Sequence, residues 1–287
     1  MSPAAVALVL AAAVAHASWN LFGKQAAETG AAFFVWLLAV SAGIIYLPVV
    51  TVTVIITRPH LSGLNWLFLV GTGLLHGGYF LFLQLGYRIG DLSLAYPIGR
   101  GTGALLAAVA GIVLLGERPT LIGYAGILAI VTGVVVIGLP ERAITSTAAG
   151  AIGFALVTGL FIGIYTIWDK YAVATLHTGP VLQGYAGFPL MAAVFTPFVL
   201  RDRATLAKVW HSFRPQVLGA AVLSPLAYML VLVALTFTAV SAVAPAREVS
   251  VLFGVLLGGR LLGEGSLTRR LVAAAAIVAG IIAIAIA

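Results

Sequence analysis

One set of residues recurs along this chain at a fixed spacing of 147. Arg100 matches Arg247, Gly111 matches Gly258, Gly116-Glu117 matches Gly263-Glu264, and Gly133 matches Gly280. An ordered series of this kind within 287 residues marks a duplicated unit, so whatever one half folds into, the other half repeats. Both arginines lie in apolar stretches, Tyr96-Pro97-Ile98-Gly99-Arg100 and Ala244-Pro245-Ala246-Arg247. A charge in such a place is costly and usually functional.

The apolar stretches are long enough to cross a bilayer. The chain is 62% hydrophobic and 8% charged, with a mean hydropathy of +1.16, far from the charge content of a soluble domain. A bilayer core takes about 20 apolar residues per helix. Ten such segments are read, at roughly 3–22, 32–57, 65–87, 92–116, 120–139, 148–168, 180–200, 215–238, 241–262 and 267–287. The first is expected to be a retained span rather than a signal peptide, since no basic residue precedes Lys24. The break near Pro140-Glu141-Arg142 divides the chain into a first repeat, 1–140, and a second, 148–287. Five spans per half is an odd number, so the second half enters the membrane from the opposite side. The fold class expected is therefore an all-α membrane protein, with ten transmembrane helices arranged as two inverted five-helix repeats.

Several function classes are excluded. The net charge of +7 is spread over short loops, whereas a nucleic-acid binder needs a clustered basic footprint. There is no cysteine, which removes disulfides, thiolate chemistry and cysteine-ligated metals. No His-Glu-x-x-His, Gly-x-Ser-x-Gly or paired intramembrane aspartates occur, so neither an enzyme nor a cofactor is expected. Orientation follows from the basic residues. Lys24, Arg88, Arg142, Arg201, Arg203, Lys208, Arg214, Arg269 and Arg270 gather on one side, against Arg58, Arg118 and Lys170 on the other. That balance puts both termini outside and the 201–214 loop in the cytoplasm.

Candidate pathway residues come from helical spacing. His16, Asn20 and Lys24 form a stripe on the first span, beside Trp19, with Lys24 snorkelling toward the interface. On the fourth span, Ser93, Tyr96 and Arg100 share a face, Pro97 can kink the helix, and Gly99, Gly101 and Gly103 allow close approach. On the ninth, Ser241 and Glu248 share a face while Arg247 points about 100° away, toward Ser250 and Gly254. Of that adjacent pair, one faces the pathway and the other pairs with a neighbouring helix. Glu248 is read as the one carboxylate well inside any span, and so as the coupling group. His76 clusters with Tyr79 and Phe80 on the third span. Tyr165 and Trp168 are one turn apart on the sixth, and Tyr228 lies on the eighth. Gly159-x-x-x-Gly163 is a helix-packing signal.

His16-Ala17-Ser18-Trp19-Asn20 with Lys24, Leu115-Gly116-Glu117 before a glycine-rich span, and its second copy Leu262-Gly263-Glu264 resemble the EamA-type members of the drug/metabolite transporter superfamily. The resemblance implies a ten-helix bundle of two inverted repeats in a bacterial inner or plasma membrane, moving small metabolites by alternating access. Its cavity would be lined by the first, third, fourth, sixth, eighth and ninth helices. The amino-acid exporting branch, including aromatic substrates, is the one it most resembles. The implied substrate-binding set is His16, Trp19, Asn20, His76, Tyr79, Tyr96, Arg100, Tyr165, Trp168, Tyr228, Ser241 and Arg247. Members of the family are often drawn with both termini cytoplasmic, the reverse of the charge count. The expected partners are a small-molecule substrate and the lipid bilayer, with a monomer sufficient. Proton-coupled multidrug efflux is the alternative, and here no carboxylate stands in the first span.

Overall fold

A computed structural model describes residues 1–90, 92–138, 146–250 and 267–287. The described elements are all helical. They are α1 (Pro3–Thr57), α2 (Gly63–Ile89), α3 (Leu92–Leu114), α4 (Leu121–Gly138), α5 (Ser146–Ala174), α6 (Pro180–Val199), α7 (Arg203–Phe237), the short α8 (Val240–Ala246) and α9 (Leu267–Ile286). α1 contains two spans, because Gly30 leaves helical geometry (φ 173°, ψ 89°) between the apolar stretches Pro3–Ala26 and Thr29–Thr57. Seven described segments are long and apolar enough to cross a membrane, and Leu121–Val136 and Ala275–Ile286 are shorter apolar helices. The ninth segment of the sequence reading is described to residue 250. Gly254, Gly258, Leu262, Gly263 and Glu264 lie outside the described residues, as do Pro140, Glu141, Arg142 and the side chain of Ser93.

The outer surface is apolar. Ile56, Val113, Leu121 and Val272 are 63–86% exposed, as suits helices solvated by lipid rather than water. Inside the bundle a continuous core runs through Trp19, Phe34, Leu38, Tyr79, Phe80, Tyr96, Ile130, Tyr165 and Met191. Because lipid is as apolar as a leucine side chain, close packing of small residues holds such helices together.

Two interfaces show this directly. On the α3–α5 interface Gly159 faces Gly99, Gly103 faces Ile162, and Gly163 faces Leu106. A Cβ added at Gly159 would stand 2.9 Å from the Gly99 carbonyl oxygen, and one at Gly103 would stand 2.5 Å from Ile162 Cβ. The α3 glycines thus admit another backbone. The second interface joins α4 to α9. A Cβ on Gly126 would lie 2.7 Å from the Gly280 carbonyl, and one on Gly133 would lie 2.8 Å from the Ala273 carbonyl. The contacts descend along α9 as they rise along α4, so these helices run antiparallel. Gly126 and Ala273 are 147 apart, and so are Gly133 and Gly280. Each residue therefore touches the counterpart of its partner, as in a two-fold contact between identical subunits.

Hydrogen bonds repeat at nearly the same spacing, 146 between the two lysine donors and 148 between their acceptors. The Lys24 ammonium on α1 donates to the carbonyls of Tyr87 (2.7 Å) and Gly90 (3.1 Å) at the end of α2. Lys170 on α5 donates to Leu235 (2.8 Å) and Thr238 (3.0 Å) at the end of α7. Each lysine satisfies carbonyls that a helix C-terminus leaves without intrahelical partners. The interfacial snorkelling expected of Lys24 thus ends on a specific acceptor pair.

Candidate functional site

At the centre of the bundle, α1, α2, α5, α6, α7 and the residue following α8 surround a narrow cavity of about 30 Å³, room for a water-sized group in this closed arrangement. The walls are largely aromatic. His76 stacks on Tyr165 with ring centroids 4.2 Å apart, Tyr228 meets His76 edge-on at 4.7 Å, and Tyr79 meets Tyr165 edge-on at 5.5 Å. Trp19, Phe80 and Phe188 add apolar surface. These rings converge because three helices each bring an aromatic residue to one depth. Their mutual edge and stacked contacts add about 0.5–1.5 kcal/mol apiece beyond area burial.

The two repeat-related arginines differ. Arg100 on α3 is held by Glu248 through a bidentate pair, Nε to Oε2 at 3.2 Å and Nη2 to Oε1 at 2.5 Å, with both side chains 2% exposed. Arg247 is 5% exposed, and no hydrogen bond or ion pair engages its guanidinium among the described residues. It lies over the Tyr228 ring at 5.9 Å and lines the cavity. It also lines an adjoining recess with His16 and Arg100. Glu248 is thus the member of the pair that meets a neighbouring helix, and Arg247 the member that reaches the cavity.

The expected 100° divergence along a regular helix does not describe them. α8 ends at Ala246, and the next bonds tighten from Arg247 N–H on Val243 to Glu248 N–H on Pro245 and Ser250 N–H on Arg247. Pro245 supplies no N–H, so the turn there is broken rather than continuous. Interrupted helices of this kind occur at membrane depth where backbone lines a protein interior.

Glu248 is not alone as an intramembrane carboxylate, which corrects the sequence reading. α5 continues to Ala174 instead of ending at 168, and Asp169 is fully buried. Its carboxylate accepts from the Thr72 hydroxyl (3.0 Å), the Gln183 amide (2.7 Å) and the Tyr228 hydroxyl. Those three donors line the cavity, so Asp169 stands immediately behind its wall. The spacing rules missed it because Asp169-Lys170 reads as the polar end of a span. Its only signal was an acid directly following an aromatic pair, Tyr165 and Trp168.

Five polar atoms around this region are buried without a hydrogen-bond partner among the described residues: His16 Nε2, His76 Nε2, Tyr79 Oη, Arg100 Nη1 and Gln183 Oε1. Protein interiors normally satisfy such groups, so they point to a polar occupant. The ring partners assign the tautomers. Trp19 Nε1–H donates to His16 Nδ1 (3.3 Å), leaving the proton on His16 Nε2. His76 Nδ1 lies 2.9 Å from the Thr72 carbonyl, which accepts only, leaving His76 Nε2 as an acceptor. The donors His16, Arg100 and Arg247 gather around one recess, and His76 supplies an acceptor beside a buried carboxylate.

His16, Trp19, His76, Tyr79, Tyr165, Tyr228 and Arg247 therefore meet on one cavity. Tyr96 and Arg100 sit beside it. Tyr96 stacks with His16 at 6.4 Å and donates to Ser250 Oγ at 3.0 Å. Asn20 is a layer back, accepting from the Tyr87 hydroxyl (2.7 Å). Two residues lie elsewhere. Trp168 stacks on Phe68 at 4.1 Å and donates to its carbonyl. Ser241 sits at the start of α8, where Glu117 accepts from its N–H (2.8 Å) and from that of Val240 (2.7 Å).

Comparison with known proteins agrees with this architecture. A solved crystal structure superposes with a TM-score of 0.72 at 15% identity, covering 99% of this chain and 96% of that one, which shows a shared fold. The "Multidrug resistance protein EbrB" of Bacillus subtilis (strain 168) and its namesake in Bacillus atrophaeus are each 40% identical over 58 residues, 20% of this chain. The chain spans about half the length of these curated relatives. Residues 3–139 match the model of the EamA-like transporter family, and with seven long apolar helices the chain is an integral, multi-pass membrane protein.

Proposed function

We propose that the whole chain is an EamA-type secondary transporter that moves amino acids or closely similar small metabolites, in the export direction, by alternating access. The carrying observation is the polarity of the central cavity. Arg247, whose guanidinium has no hydrogen bond or ion pair among the described residues, and the His16 Nε2–H mark one end. The His76 acceptor, backed by Asp169, marks the other. Aromatic walls fill the space between. A guanidinium suits a carboxylate, the acceptor end suits an ammonium, and the rings suit an apolar side chain.

Two inverted repeats, 1–140 and 148–287, are part of this reading. Support comes from the reciprocal α4–α9 contacts and from Lys24 and Lys170, which cap equivalent helix ends. Inverted repeats let a central site open first to one side and then to the other. The test is uptake of labelled neutral amino acids into proteoliposomes holding the purified chain. Saturable uptake that is accelerated by unlabelled substrate on the far side identifies a carrier. Absence of uptake across neutral amino acids by folded protein contradicts the proposed substrate class.

The match to a multidrug resistance protein favours a second reading, efflux of lipophilic cations, with Asp169 as the anionic site. The charge of Arg247 opposes it. Transport of a quaternary ammonium dye in the same vesicles, uncompeted by amino acids, would select that reading.

A further inference from the structure

Asp169 has a role that the bipolar cavity alone does not require. A buried carboxylate with only neutral donors is expensive to keep ionised in a bilayer. The groups facing it are known from each packed element. α2 brings Thr72, His76 and Tyr79, and α7 brings Tyr228. α6 brings Gln183, and α5 itself brings Tyr165. No lysine or arginine among the described residues bonds to it. Arg247 lies over the Tyr228 ring, 5.9 Å from its centroid.

We propose that Asp169 carries the coupling proton of the transport cycle, and that Thr72 and His76 report its protonation to the cavity. The inference rests on the transporter reading above. In the ionised form, Asp169 Oδ2 accepts from both Thr72 Oγ1 and Tyr228 Oη. When a proton from cavity water bonds to Oδ2, that oxygen becomes a donor. One of the two hydroxyls must then turn its own hydrogen away and accept. Tyr228 keeps donating to the carboxyl group. Thr72 turns toward His76 Nδ1, 3.1 Å away.

The proton reaches Oδ2 through the ring: cavity water protonates His76 Nε2, Nδ1 passes its proton to Thr72 Oγ1, and the Thr72 hydroxyl passes its own to Asp169 Oδ2. The atom that faces the cavity without a partner then changes from acceptor to donor. An ammonium group is welcome in the first state and repelled in the second. One proton is taken from water on one side and released to water on the other. No bond of the substrate changes.

Glu248, read from sequence as the coupling group, is committed to Arg100 in a bidentate pair. It is held where a proton would break that pair.

The experiment measures initial uptake of labelled phenylalanine, with and without an imposed pH gradient, in proteoliposomes holding a pH-sensitive dye. For one proton per substrate, a gradient of one pH unit supports about tenfold accumulation, and substrate addition moves protons in the opposite direction at matching rate. Asp169→Asn should lose both the gradient response and the substrate-driven proton flux, and whatever exchange it retains should no longer depend on pH. Thr72→Val, which retains the carboxylate, should shift the pH profile of uptake while keeping the gradient response. Saturable uptake by the parent with no gradient response and no proton flux overturns the coupling proposal and leaves the transporter reading intact. A gradient response of parental size in Asp169→Asn overturns it as well. If Asp169→Asn does not yield folded protein, the parent's proton flux and the Thr72→Val profile decide. No uptake by the folded parent refutes the transporter reading instead.

Discussion

Replacing Glu248 by glutamine tests the assignment of Arg100 as a neutralised arginine. The change keeps the shape of the side chain and removes the charge that answers the guanidinium across 2.5 and 3.2 Å. Arg100 has no exit to water, being 2% exposed, and an arginine does not shed its proton. Breaking one partner of such a buried pair costs about 3–5 kcal/mol. At about 2–4 °C per kcal/mol for a chain of this size, the apparent Tm in detergent should fall by roughly 10 °C. Arg100→Gln should cost less, because the stranded carboxylate can take up a proton and become neutral. The double variant Arg100→Gln/Glu248→Gln exchanges an ion pair for a neutral pair and should recover to within about 1–2 kcal/mol of the parent. Thermal unfolding followed by fluorescence-detected size exclusion, at one heating rate, gives all four values. Additive losses, with the double variant as unstable as the sum of the singles, would refute the pairing.

Gly133→Ala places a methyl group 2.8 Å from the Ala273 carbonyl and should destabilise the bundle by about 1–3 kcal/mol. Gly153→Ala, where a Cβ meets nothing within 4 Å, should be neutral or slightly stabilising, and the same thermal assay separates them. Lys24→Met and Lys170→Met each leave two helix-end carbonyls without their donor, so equal losses of about 1–2 kcal/mol are expected; strongly unequal losses would speak against equivalent repeats. At the exposed start of α7, Asp202 accepts from the Thr205 hydroxyl (2.6 Å) and N–H (2.9 Å). These bonds hold its carboxyl below the ordinary value of 3.8. Since the folded-state value is depressed, this contribution is present above pH 3.8 and lost as acid carries the pH below that. Thr205→Val, which loses the hydroxyl but keeps the N–H, should reduce that acid-dependent increment in hydrogen exchange at the helix start.

Much of the architecture was legible because lipid imposes a length rule. The starts of the apolar segments at 3, 148, 180 and 267 lie within a few residues of the helix starts at Pro3, Ser146, Pro180 and Leu267. The Gly159-x-x-x-Gly163 signal was legible for a related reason, since close approach demands small residues at that spacing. The site was legible where side chains obey a regular helix. His16, Trp19, His76, Tyr79, Tyr165 and Tyr228 reach the cavity.

The failures share a cause. A charge reads as the end of a span unless its partner is known. Asp169 and Lys170 have theirs on other helices, Thr72, Gln183 and Tyr228 for one and the end of α7 for the other. The helix therefore runs on past them. Trp168 is turned out toward Phe68, and Ser241 stands at a helix start that Glu117 caps, neither of which helical spacing encodes. The relation of Arg247 to Glu248 depends on a break at Pro245, where the spacing rule no longer holds.

The central claim is that Arg247, rather than Arg100, reads the carboxylate of a transported amino acid. Binding of phenylalanine and of phenethylamine, which lacks the carboxylate, to purified parent and Arg247→Gln protein tests it most directly. The account predicts that the parent prefers phenylalanine by about 10-fold or more, as one charge-assisted contact worth 1.5–3 kcal/mol implies, and that Arg247→Gln loses this preference while keeping a folded, monodisperse profile. An unchanged preference in Arg247→Gln would contradict it.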